Sequence, residues 1–218
     1  MADDLTSTDS QAELAPSLVA FVEAIAQAKR MAASMYLGLR DRVPAPTGDI
    51  ALRRLADDEG EHAAALEKLL SIRRGRGPVP AAVNPGCSPY DQGWGSGLMA
   101  GFALDQAATA ALVALETSSA PRVATMARRI IEEERAHQTF ALGAFRVLAD
   151  TEAGLGMRLA KEMIEDRDWI KEIYPRRASI VALAEAGLVA TDAPRLHDTF
   201  LASLGDRIQD ALGVLGDL

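Results

Sequence analysis

The chain has 218 residues, of which 49% are hydrophobic and 25% charged, and its formal net charge is −8. This length suffices for one large domain with a sizeable core, and the acidic balance argues against nucleic-acid binding because no basic stripe can neutralise phosphates. The single cysteine, Cys87, excludes an intrachain disulfide and a cysteine-ligated iron–sulfur cluster.

The apolar spacings of three and four residues predict helices along the chain. Pro16 suits the first turn of a helix to about residue 42, and Asp49 is expected to cap a second one to about residue 73. Residues 75–97 are rich in glycine and proline, which predicts a long crossover connection. Further helices are expected over about 98–117, 121–150, 151–173, 175–187 and from 193 onward.

No segment shows the alternation of a strand, so the prediction is an all-α chain of one domain. Residues 1–14 are polar and acidic, unlike a signal peptide, and are predicted to be a disordered tail before a single helical domain over 15–218. We found no apolar run of about 18 residues that could span a membrane, and therefore predict a cytoplasmic, soluble protein.

Two Glu-x-x-His pairs interrupt the apolar stripes of the second and fourth helices. In "DDEGEH", Glu59 and His62 occupy positions where core residues are expected, and in "EEERAH" Glu134 and His137 do the same. The two pairs are separated by a constant 75 residues, from Glu59 to Glu134 and from His62 to His137, which indicates a duplicated helix pair. Two such pairs with one carboxylate from each remaining helix make the dimetal site of a ferritin-like four-helix bundle.

A dimetal site also requires one carboxylate on the first helix and one on the third, and their presence tests this interpretation. Asp105 is the only acid in the apolar segment "GFALDQAATAALVAL" of the third helix and lies in phase with its stripe. The first helix instead offers Lys29 at the inward position. Three interpretations of Lys29 stay open: it balances charge or donates a hydrogen bond beside metals, it replaces metal through ion pairs with Glu59 or Glu134, or its ammonium reaches the surface.

The segment "AKRMAASMYLGLRDRVPAPTGDIALRRLADDEGEHAAAL" resembles the first helix pair of the oxygenase subunits of the phenylacetyl-CoA epoxidase (phenylacetic acid catabolism) family. A second segment, "FALDQAATAALVALETSSAPRVATMARRIIEEERAHQTFALGAFRVLAD", is similar to the second pair. The resemblance implies a ferritin-like diiron-carboxylate fold with a C-terminal helical extension. It also implies two iron ions, with manganese as an alternative, held by Glu59, His62, Asp105, Glu134 and His137. That family also contains a related scaffold subunit whose metal site is lost.

The sequence thus leads to two main hypotheses. The first is a diiron oxygenase or hydroxylase that activates dioxygen to oxidise a small organic substrate, of which a thioester is one candidate. It would need an external reductase, because the chain has no nucleotide or flavin motif. The second is a non-catalytic partner subunit with Lys29 ion pairs in place of metal. A third is another dimetal activity, such as an oxidase. A homodimer or a heterodimer with a related ferritin-like subunit is compatible with each, whereas nucleic acid and membrane are not expected partners.

Overall fold

The computed structural model describes residues 14–40, 46–74, 94–151, 154, 157–159, 161 and 177–213. Within these ranges the regular structure is all helical. The helices are α1 (Pro16–Gly38), α2 (Pro46–Arg74), α3 (Trp94–Leu115), α4 (Pro121–Thr151), α5 (Arg177–Glu185) and α6 (Ala193–Leu212). Residues 157–159 and 161 also have helical backbone. The predicted tail, apart from Leu14, and Cys87 lie outside the described residues, as do most of the predicted crossover and of the helix expected over 151–173.

Four of the predicted helices match α1 to α4, but two helix beginnings were placed wrongly. Helix α2 begins at Pro46, so Asp49 lies in its first turn and is not the N-cap. Its carboxylate instead accepts a hydrogen bond from Arg40 Nε at 2.6 Å, which ties the start of α2 to the end of α1. Helix α3 begins at Trp94, four residues before the predicted start, because the glycines near its beginning are accommodated in the helix.

Side-chain contacts give the direction of each long helix. Helices α1 and α2 are antiparallel, since Arg30 pairs with Glu67 while Arg40 pairs with Asp49. Helices α1 and α3 are also antiparallel, because Lys29 meets Asp105 near their middles and the later Leu39 approaches the earlier Gly97. Helices α2 and α3 therefore run in the same direction, and the end of α2 and the start of α3 lie at opposite ends of the molecule.

Helix α4 is antiparallel to α3. The rings of Phe102 and Phe145 meet edge to face with centroids 5.5 Å apart, and Gln106 contacts the earlier Gln138. Helix α6 packs against α3 and α4, and α5 packs against α6 and α1. The four long helices thus surround a common interior that α6 covers on one side.

Two apolar clusters fill this interior, one toward each end. The first contains residues such as Phe21, Ile25 and Leu112, and the second contains Tyr36, Phe102 and Phe145, among others. On both α2 and α4, the apolar residues before the Glu-x-x-His segment belong to one cluster and those after it belong to the other. A polar layer therefore divides the core in two.

Glycines allow α3 to approach α1 closely beside this layer. A Cβ at Gly97 would overlap Leu39, and a Cβ at Gly101 would lie 3.1 Å from Cε1 of Tyr36. The short separation brings Asp105 of α3 within reach of Lys29 of α1. Helix α3 thereby supplies both a packing surface and one of the buried acids.

Helix α3 corrects one expectation about apolar runs. Its residues Trp94–Leu115 are long and apolar enough, by composition, to cross a membrane, although none was expected. However, 89% of the apolar stretch is buried inside the protein, as is typical of the core helix of a soluble protein. Its hydrophobicity is explained by contacts with α1, α4 and α6.

Candidate metal centre

The polar layer contains six side chains that the sequence had singled out, contributed by all four long helices. Each is at most 3% exposed: Lys29, Glu59, His62, Asp105, Glu134 and His137. Helical phase explains why they meet. Each residue occupies a position within an apolar stripe of its helix. Because that stripe faces the core, the polar side chain faces the core too.

The Lys29 ammonium lies among the three carboxylates. Nζ is 3.0 Å from Oε2 of Glu59 and 2.5 Å from Oε1 of Glu134, and it also pairs with Oδ1 of Asp105. Thr109 Oγ1 is 3.4 Å away and donates its own proton to the backbone carbonyl of Asp105. The interpretation that Lys29 reaches the surface is therefore wrong, because the side chain is fully buried.

Charge explains how an ammonium tolerates this burial. Desolvation alone lowers the pKa of Lys29, but attraction to Asp105, Glu134 and Glu59 outweighs it and raises the pKa well above the usual value. Burial by itself would raise the pKa of Glu134, whereas Lys29 and the two histidines hold it well below its ordinary value. Lys29 and Glu134 are thus both ionised in the protein at neutral pH.

The two histidines are held in a crossed arrangement. His62 of α2 directs Nε2 at Glu133 of α4, 2.8 Å away, and His137 of α4 directs Nε2 at Asp58 of α2, 3.2 Å away. Carboxylates in this position orient an imidazole and fix the proton on Nε2, which leaves Nδ1 as the ligand atom. Each helix therefore orients the histidine of the other.

The opposite ring nitrogens face the cluster carboxylates. Nδ1 of His137 is 2.8 Å from Oε1 of Glu59 and 3.2 Å from Oε2 of Glu134, and Nδ1 of His62 is 3.1 Å from Oε1 of Glu134. Neither Nδ1 makes an aligned hydrogen bond, nor do either oxygen of Glu59 and Oε2 of Glu134. Oε2 of Glu59 faces the Lys29 ammonium, but the other four buried atoms have no such contact and are costly unless a cation lies between them.

Either a proton or a metal ion can lie between the Nδ1 atoms and the glutamate oxygens and compensate their burial. Desolvation lowers the pKa of His137, but its contacts with Glu134 and Glu59 prevail and raise that pKa to about 11, so without metal its ring carries a proton. A metal ion would displace that proton. Four groups, Glu59, Asp105, Glu134 and His137, offer ligand atoms within 4.8 Å of one another, so the cluster could hold a metal ion.

The Lys29 ammonium pairs with three of these four groups, Glu59, Asp105 and Glu134, so a metal ion held by them would share their oxygens with the ammonium. The pair of iron ions stays a prediction.

Asp105 is also tied to the C-terminal helix through two amides. Its Oδ2 accepts from Gln106 Nε2 at 3.1 Å, Gln106 Oε1 accepts from Gln138 Nε2 at 2.5 Å, and Gln138 Oε1 accepts from Arg207 at 2.6 Å. Because arginine can only donate, it fixes the direction of both amides. Burial, with the charges of Glu134 and Glu59, raises the pKa of Asp105. Both of its oxygens accept hydrogen bonds, one of them from the Lys29 ammonium.

Tyr36 of α1, in the second apolar cluster, has a hydroxyl that is influenced by the charges of the polar layer. Its hydroxyl is buried without a hydrogen-bond partner. Burial, together with the negative charges of Asp105, Glu59 and Glu134, raises the pKa of Tyr36 well above 10. The side chain is therefore a neutral phenol beside the cluster.

Sequence reasoning placed the cluster but missed its supporting residues. Asp57 and Glu61 are exposed, whereas Asp58 is only partly exposed and contacts His137. The duplicated pattern held a signal for Asp58 and Glu133, since an acid directly precedes Glu in both motifs. No comparable signal marked Gln106 and Gln138.

The fold and the cluster define an all-helical protein with a buried carboxylate and histidine site that could hold a metal ion. Comparison with family models and with curated proteins gives no match for this chain.

Proposed function

We propose that this chain is a ferritin-like metalloprotein, a four-helix bundle with a crossover between α2 and α3, which binds a redox-active transition metal. The observation that carries the proposal is the crossed pair of histidines, whose Nδ1 atoms face carboxylate oxygens without hydrogen bonds. Imidazole and carboxylate ligands suit iron and also manganese. Iron is the first candidate because of the resemblance to diiron-carboxylate oxygenases.

We further propose that the protein is a dioxygen-dependent oxidoreductase that acts on a small organic molecule. A bound iron ion with an open coordination position supplies the capacity to bind and reduce dioxygen. Asp58 and Glu133 hold the Nε2 protons and aim the rings. The apolar clusters above and below exclude water, and Tyr36 keeps a phenolic proton beside the layer.

Electrons would come from another protein. The chain has a single cysteine and no glycine-rich nucleotide motif, so it carries no cluster, flavin or nicotinamide site of its own that the sequence reveals. We therefore propose an external reductase as a partner. The resemblance makes a thioester one candidate substrate, and a related ferritin-like subunit one candidate partner.

Oxygen consumption by the iron-loaded, chemically reduced protein tests this proposal. We expect uptake of dioxygen that depends on iron and is lost in His137→Ala. The matched control is His197→Ala, since His197 is also buried but lies on α6 and contacts Asp198. Equal uptake by the wild type and His137→Ala, or no iron bound after anaerobic loading, would refute the proposal.

A second candidate function is a non-catalytic scaffold subunit, which the Lys29 ion pairs favour. An ammonium that contacts three buried carboxylates can neutralise them without metal. Metal analysis separates the candidates. A scaffold would stay metal-free after expression with added iron and would be folded in the presence of a strong chelator, whereas the oxidoreductase would be recovered with iron.

A further inference from the structure

We infer that the cluster is built for one metal ion, with the Lys29 ammonium standing in the position that a second ion would take. The inference rests on the proposed metal binding and deepens it, because it specifies how many ions the site accepts and which side chains hold them. Its ligands are Glu59, His62, Glu134 and His137.

The two glutamates show the division of the site most directly. Glu59 turns Oε2 toward the ammonium, at 3.0 Å, and Oε1 toward His137, at 2.8 Å. Glu134 likewise has Oε1 at 2.5 Å from the ammonium and Oε2 at 3.2 Å from His137. Each carboxylate thus bridges two cation positions, and Lys29 occupies one of them.

The second position has the dimensions of a single coordination sphere. With metal–ligand bonds of about 2.1 Å, neighbouring ligand atoms lie about 3.0 Å apart in an octahedron and about 3.4 Å apart in a tetrahedron. Nδ1 of His137 lies 2.8 Å from Oε1 of Glu59 and 3.2 Å from Oε2 of Glu134. Nδ1 of His62 lies 3.9 Å from Oε1 of Glu59 and 3.1 Å from Oε1 of Glu134, the oxygen that also pairs with Lys29. These distances bracket the ideal values.

The separation of the rings also fits one shared ion. An ion about 2.1 Å from Nδ1 lies about 3.2 Å from the ring centre, so two rings on one ion have centres at most about 6.4 Å apart. The centroids of His62 and His137 are 5.9 Å apart. Both histidines can therefore bind the same ion.

Asp105 belongs to the ammonium side. Its Oδ1 pairs with Lys29 and its Oδ2 accepts from Gln106. By contrast, Oε1 of Glu59, Oε2 of Glu134 and both Nδ1 atoms have no hydrogen-bond partner. Oε2 of Glu59 also lacks an aligned hydrogen bond, but it lies 3.0 Å from the ammonium, so the atoms with neither a hydrogen bond nor a contact with Lys29 point to the metal position.

Charge balance leads to the same number of ions. Three buried carboxylates and one ammonium carry a net charge of −2 when the histidines are neutral. One divalent ion brings this to zero, whereas two would leave a net charge of +2 in the core, which burial penalises. A lysine in place of a carboxylate on the first helix raises the charge of the cluster by two units, which equals the charge of one divalent ion.

The first test is the stoichiometry of the intact chain. We would titrate metal-free protein with Mn²⁺ under anaerobic conditions, and measure bound metal by elemental analysis and the spin state of the bound ion by electron paramagnetic resonance. One ion per chain with the spectrum of an isolated Mn²⁺ is expected. Two ions per chain with a coupled spectrum would overturn the inference but leave the proposed metal binding intact. No bound ion would overturn both.

The second test uses variants of the assigned ligands. His62→Ala and His137→Ala should each weaken Mn²⁺ binding by at least about tenfold, the scale seen when a ligand or its supporting residue is lost. His197→Ala should bind as the wild type does. Unchanged binding in His62→Ala would overturn the assignment of that ring as a ligand.

The third test changes the number of ions. Lys29→Glu supplies a fourth carboxylate and removes the ammonium, so we expect it to bind two ions and to show the coupled spectrum. Circular dichroism would verify that its helices are intact. A folded Lys29→Glu protein that still binds one ion would overturn the role assigned to Lys29. The wild-type titration is decisive on its own where this variant does not fold.

Discussion

Replacement of Lys29 by methionine should strongly destabilise the metal-free protein. Methionine has a similar length and is apolar, so the change removes the ammonium with little change in volume. Glu59, Asp105 and Glu134 would then remain buried without their common cation. Uncompensated buried charge is one of the few causes of very large single-residue effects.

The geometry sets the size of the expected effect. At an effective dielectric constant of about 20, each contact of about 3 Å contributes roughly 5.5 kcal/mol of attraction, or roughly 17 kcal/mol for three. Most of this offsets the desolvation of the four charges, and breaking a buried ion pair by removing one partner costs about 3–5 kcal/mol. For a chain of this size we expect Tm to fall by about 6–20 °C.

The assay is thermal and urea unfolding of protein treated with a chelator. Lys68→Met is the matched control, because Lys68 is exposed on α2, where loss of a surface contact should change stability by no more than about 1 kcal/mol. Asp105→Asn in the Lys29→Met background removes one of the stranded charges, and the double variant should be more stable than Lys29→Met alone. A loss below about 1 kcal/mol in Lys29→Met would refute the claim that the ammonium neutralises these carboxylates.

Three further outcomes follow from the same contacts. Glu134→Ala should abolish metal binding while the helical circular dichroism signal persists, and full metal retention would contradict the assignment. Arg207→Met removes the charged donor to Gln138, so urea unfolding should show a loss of about 1–2 kcal/mol, most of which Arg207→Lys recovers. Phe145→Ala removes a fully buried ring in edge-to-face contact with Phe102 and should cost about 3–5 kcal/mol in the same assay, whereas a loss under about 1 kcal/mol would mean that the site repacks.

Much of the site could be predicted from helical phase alone. A residue that interrupts an apolar stripe is carried into the core with its neighbours, and this holds for Glu59, His62, Asp105, Glu134 and His137. The fold class followed from the same spacing. Helix ends were less predictable, because Asp49 has the chemistry of a cap but makes its hydrogen bond to Arg40 instead.

The rest depended on which helices face each other, which periodicity does not specify. Asp58 lies at the edge of the apolar stripe of α2. Its role in orienting His137 is visible only once α4 is known to face α2. For Lys29 the apolar stripe predicted that the Cα faces the core, but it did not predict where the ammonium at the end of the long side chain lies. The sequence left open whether its ammonium lies inside the cluster or at the surface, and its contacts with Glu59, Asp105 and Glu134 place it inside.

The crossed contacts also bear on how the two helix pairs are held together. Helices α2 and α4 pack against each other sparsely compared with α1 against α2. Their contacts include His62 with Glu133 and His137 with Asp58. Polar contacts of this kind have strict geometry, whereas apolar contacts tolerate sliding, so the cluster fixes the register of one helix pair against the other.

A cation between the two Nδ1 atoms would strengthen that register, because it would bind ligands from both α2 and α4. Loading with metal should therefore slow amide hydrogen exchange along α2 and α4 more than along α5, and equal slowing in all three helices would contradict this role.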